Sequence, residues 1–90
     1  MKFAFERRFE AMRNREKIIE NICDEVIAAA ECKLDKAVES GLMGCNLELP
    51  NFQFEFINEV KKTLNEFFEM WGYHITWLGN NLMHITYEGD

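Results

Sequence analysis

The 90-residue chain has a single proline, Pro50, and five glycines, too few for a collagen-like, linker-rich or low-complexity polypeptide. It has no CxxC. Cys23, Cys32 and Cys45 are an odd set of thiols, which excludes a complete internal disulfide framework, a redox pair and a thiolate zinc knuckle. Their expected state is reduced, as mostly buried small hydrophobes. No window of about 18 residues is apolar and uncharged, so no membrane-spanning helix is expected. Lys2, Arg7 and Arg8 interrupt the start before an apolar segment can form; it does not read as a signal peptide, and the expected compartment is a cytoplasm. GxGxxG and GxxxxGK[ST] are absent, and the glycines Gly41 and Gly44 bracket a turn instead of cradling a phosphate.

Positive charge is scarce beyond residue 20. The net charge of -6 divides into +2 over residues 1–20 and -8 over residues 21–90. An acidic main body repels a nucleic-acid backbone, so direct nucleic-acid binding is disfavoured. The basic start suits attraction toward the acidic part of a neighbouring subunit, or contact with a phosphate.

What the chain does have is hydrophobic residues, 48% of the total, in patterns that predict one α+β domain over residues 1–90. Phe5, Phe9 and Met12 recur at helical spacing. The spacing resumes at Ile18, Ile19, Ile22, Cys23, Val26 and Ile27 and continues through Ala30, Leu34 and Ala37. A continuous helix over residues 4–39 would be about 54 Å long, against an expected radius of gyration of about 12 Å for a globule of this size. Either the helix breaks near Asn14, leaving residues 1–13 as a separate helical arm, or it projects and packs on another subunit. The polar Arg13-Asn14-Arg15 stretch favours the break, although Lys17 does not complete a capping box after Asn14.

Alternation of Cys45, Leu47 and Leu49 with polar residues predicts a short strand ending at Pro50. Phe56, Ile57, Val60, Leu64, Phe67, Phe68 and Trp71 predict a second amphipathic helix closed by Gly72. The C-terminal segment reads as a β-hairpin. A Gly79-Asn80-Asn81 loop pairs Trp77 with Met83 and Ile75 with Ile85, and puts Tyr73, Ile75, Trp77, Met83, Ile85 and Tyr87 on one face. Together with the strand at residues 45–49 it forms a small antiparallel sheet.

Catalytic, metal and cofactor sites find little support. His74 and His84 are diagonal neighbours on the second hairpin face, but no carboxylate or thiolate completes a metal site there, so no metal or cofactor is assigned. His beside Thr is not an activated nucleophile, and the Glu66–Glu69 pair is an ordinary solvent-facing one. A non-enzymatic role is expected.

Eight Phe, two Trp and two Tyr are more than so small a domain easily covers. Part of this surface is expected to lie in a homo-oligomeric interface or a protein-binding groove. The interface set is Phe5, Phe9, Ile19, Ile22, Val26 and Ala30, with the alanines at 28–30 allowing close helix approach.

The helix ending in Trp71-Gly72-Tyr73, followed by a hairpin carrying Ile75, Trp77, Ile85 and Tyr87, resembles small accessory proteins of tailed bacteriophages over about residues 26–88. The resemblance implies a factor that binds a host or phage protein in the host cytoplasm, and it carries no catalytic residue over. Three functions are weighed. The leading one is an oligomeric accessory protein that inhibits or sequesters a host factor by protein–protein contact. The second is an acidic nucleic-acid mimic using Asp24, Glu25, Glu31, Asp35, Glu59, Glu66 and Glu69. The third is a small-ligand module at a subunit junction.

Overall fold

A computed structural model describes residues 1–50, 54–79 and 81–87, with the Phe54 side chain left aside. Helix α1 runs Ala4–Glu39, strand β1 Gly44–Glu48, a 3-10 turn Phe54–Phe56, helix α2 Ile57–Met70, strand β2 His74–Trp77 and strand β3 Leu82–Thr86. The predicted α+β order is observed. Residues 51–53, Asn80 of the expected hairpin loop and residues 88–90 lie outside the described residues.

Helix α1 does not break at Asn14; its 36 residues are continuous. A new N-terminus at Asn14 would strand several backbone N–H groups without a capping box to receive them. Arginine is a good helix former, and one Asn costs only a few tenths of a kcal/mol more. The molecule is accordingly long, 59 × 24 × 20 Å, with a radius of gyration of 15.9 Å.

Both helices end in the same way. Past α1, the Gly41 N–H bonds the Val38 carbonyl at 3.1 Å and the Leu42 N–H bonds that of Ala37 at 2.9 Å. Past α2, the Gly72 N–H bonds the Glu69 carbonyl at 3.0 Å and the Tyr73 N–H bonds that of Phe68 at 2.9 Å. These are Schellman caps, and they require the left-handed backbone that Gly41 (φ 77°) and Gly72 (φ 89°) adopt. The Tyr73 ring then meets Phe68 edge-on at 5.9 Å, an apolar contact that locks the second cap.

The sheet is antiparallel in the order β1-β3-β2. The hairpin register is the expected one, Ile75 opposite Ile85 and Trp77 opposite Met83, and β1 adds Cys45 opposite Ile85 and Leu47 opposite Met83. One face of this sheet therefore carries Cys45, Leu47, Ile75, Trp77, Met83 and Ile85. Helix α1 packs on β1, α2 on β2, and the helices pack on each other, enclosing a core centred on Phe68, Leu64, Met83, Ile85, Val26 and Val60. Polar anchors fix the layers: the Trp77 indole N–H donates to Asn65 Oδ1 at 3.1 Å, and Lys33 Nζ donates to the Asn46 carbonyl at 3.1 Å. Among the described residues no helix is long and apolar enough to cross a membrane.

Candidate functional site

Core packing uses only part of α1. Its buried residues begin at Cys23 and end at Ala37, whereas every residue from 1 to 14 is exposed. The reason is geometric. The body supplies cover from α2 and the sheet, and it ends beside Arg15, whose guanidinium binds Glu59 (Nη2 to Oε1, 2.6 Å) and lies 5.1 Å from the Phe56 ring centroid. The helix continues beyond that point as an arm whose residues are all exposed; Arg8, Ala11, Met12 and Asn14 line an open cleft with Glu55 and Phe56, and residues 4–7 extend past it.

This arm keeps the apolar stripe of the buried segment. At about 100° per residue, Phe5, Phe9 and Met12 fall in line with Ile19, Cys23 and Ile27. Phe5 and Phe9 are each 66% exposed, and Phe3, stacked on Phe5 with ring centroids 5.7 Å apart, is as open. Arg13 lies 5.6 Å from the Phe9 ring centroid. Away from the arm, Met70 at the end of α2 and Trp71 just past it, beside Leu34, are also exposed.

The expected interface set is therefore split. Phe5 and Phe9 are free on the arm, and Ile19 and Ile22 are half-buried at the edge of the core. Val26 and Ala30, at 1% and 0% exposure, lie inside the core. These two are corrected from interface to core: their small side chains bring α1 close to the rest of the same chain, leaving them no surface to offer a partner. Of the alanines at 28–30, Ala28 and Ala29 stay exposed.

Alongside the buried segment the two helices leave an open groove of about 470 Å³. Ile19, Cys23, Ile27 and Phe67 form its floor, and Glu16, Glu20, Asp24 and Glu59 its rim. Sequence reasoning did not single out Glu16, Glu20 or Phe67 as parts of one site. The i, i+4, i+8 spacing of Glu16, Glu20 and Asp24 beside the apolar stripe was the available signal, but the second wall comes from α2. Burial pushes the Cys23 thiol up to about 11, with neighbouring Asp24 adding to the shift. Cys45 is raised in the same way, mainly by burial, with Lys33 opposing. Cys32 departs from the expected burial and is exposed.

All seven carboxylates of the acidic set are exposed. Asp24, Glu31 and Asp35 share one edge of α1 by their spacing, while Glu25 projects elsewhere and Glu59 is held by Arg15. On the uncovered sheet face, His84 Nδ1 lies 2.7 Å from Asn46 Oδ1, and His74 is exposed. Among the described residues no three His, Cys, Asp or Glu side chains gather as a metal-binding group.

Comparison of the chain with family models, curated proteins and solved structures gave no match.

Proposed function

We propose that the protein is a non-enzymatic, oligomeric accessory factor that acts in the cytoplasm through protein–protein contact, inhibiting or sequestering a host protein as small phage-encoded factors do. The observation that supports this is the arm: a helix anchored in the body at one end, with Phe3, Phe5, Phe9 and Met12 exposed along it. A row of large exposed apolar side chains suits a contact surface, because apolar area left facing water lowers a solitary monomer's solubility and adds nothing to its fold. The test is solution mass by sedimentation or light scattering from low to high micromolar concentration. A mass that rises to a multiple of 10.7 kDa supports the proposal, and a chain that stays monomeric at high micromolar concentration overturns its oligomeric part.

A second reading, an acidic mimic of nucleic acid, draws on the exposure of all seven carboxylates. It requires a nucleic-acid-binding partner whose affinity for this chain falls steeply with salt. The basic, apolar arm has no role in that reading, which is why it ranks second.

A further inference from the structure

The arm and the groove complement each other in length, apolar character and charge. The exposed arm, residues 4–14, is about 16 Å long, and the α1 wall of the groove, residues 16–27, is about 18 Å at 1.5 Å per residue. The arm offers an aromatic stripe, and the groove offers an apolar floor of Ile19, Cys23, Ile27 and Phe67. Arg8 and Arg13 project from the two flanks of the Phe5–Phe9–Met12 stripe, as the helical period dictates. The groove rim carries Glu16, Glu20, Asp24 and Glu59.

Within one chain Glu59 is matched by Arg15, but Arg8, Arg13, Glu20 and Asp24 are left without an ion pair among the described residues. The two ion pairs among those residues are Lys2–Glu10 and Arg15–Glu59. The arm cannot reach the groove of its own chain, because both are parts of one straight helix. A second copy can.

We infer that the basic aromatic arm of each chain docks in the acidic α1–α2 groove of a second copy, with the two α1 helices antiparallel about a two-fold axis near Arg15. In this arrangement each chain's arm covers the partner's groove, so both arms and both grooves are satisfied and the assembly closes at two copies. The inference rests on the self-association proposed above and names the surface that carries it.

Charge reversal on the full chain tests the arrangement. R8E/R13E reverses the arm flanks and E20K/D24K reverses the groove rim; all four positions are exposed, and far-UV circular dichroism checks that each variant folds. Each variant alone is expected to dimerise at least about tenfold more weakly than the wild type. Mixed one to one, they are expected to regain a dimer of mixed composition, since both arm-to-groove contacts are then attractive again. R7E, which reverses a charge on the side of the arm away from the stripe, is expected to leave the dimer within about threefold of wild type. A dimeric wild type whose association ignores E20K/D24K, or falls as far with R7E as with R8E/R13E, or is not regained on mixing, overturns the docking while leaving self-association standing. A monomeric wild type removes both.

Discussion

At Cys23 the core and the groove share one side chain. Its thiol sits at 3% exposure, and desolvation followed by the charge of Asp24 raises it from an ordinary 9.0 to about 11. Native protein thus holds the proton between those values while the unfolded chain releases it, so stability contributed by this thiol is complete below about pH 9 and declines as pH rises toward about 11. The expected result is that the stability cost of Cys23→Ala, from urea unfolding, is smaller at pH 10 than at pH 8. Alkylation of native protein is expected to modify exposed Cys32 well before Cys23. Gly44 is a second residue whose role needs the fold. A Cβ there would sit 2.5 Å from the Ile85 carbonyl oxygen and 3.2 Å from the Thr86 Cα, both backbone atoms. Gly44→Ala must therefore push β1 away from β3, with an expected loss of about 1–3 kcal/mol measurable as a lower denaturation midpoint.

Among the elements, α1 plays two parts. Its C-terminal portion, from Cys23 to Ala37, closes the core over β1 and α2, Ile19 and Ile22 pack at the edge of that core, and residues 4–14 contribute to no core. Deleting residues 1–13 is expected to change the stability of the dilute monomer by less than about 1 kcal/mol, because only exposed residues are lost. The same deletion is expected to abolish concentration-dependent mass. Denaturation and sedimentation of the truncated chain read the two effects separately. The hairpin behaves differently: β3 is the central strand, bonded on both sides, so it cannot be removed without opening the sheet. Its second face, with His84 against Asn46, is covered by neither helix, because both lie on the other side.

For the whole molecule, the uneven charge acquires a spatial meaning. The +2 of residues 1–20 and the -8 of residues 21–90 are carried on an elongated body, with the arm as the basic pole. In the proposed dimer such a charge distribution orients copies head against flank before apolar contact begins, with an influence that weakens as salt screens it. The 59 Å length is the direct cost of keeping α1 straight, and it is also what carries the aromatic stripe clear of its own core.

The α+β order, the glycine cap at Gly72, the turn at Gly41 and the hairpin register were all legible from the sequence, since each depends on near neighbours: period, cap chemistry and loop length. The exposed aromatics Phe5 and Phe9 were legible too, as apolar surface in excess of what the body could cover. Continuity through Asn14 was not, because a polar stretch in a helical pattern suits either a break or a straight surface helix, and local propensities differ by too little to choose. Nor was the fate of Val26 and Ala30, whose spacing fits a core and an interface equally well. That choice belongs to the tertiary structure. Where α2 and the sheet stop beside Arg15 decides which part of one continuous stripe is buried, which part lines a groove and which part is left exposed.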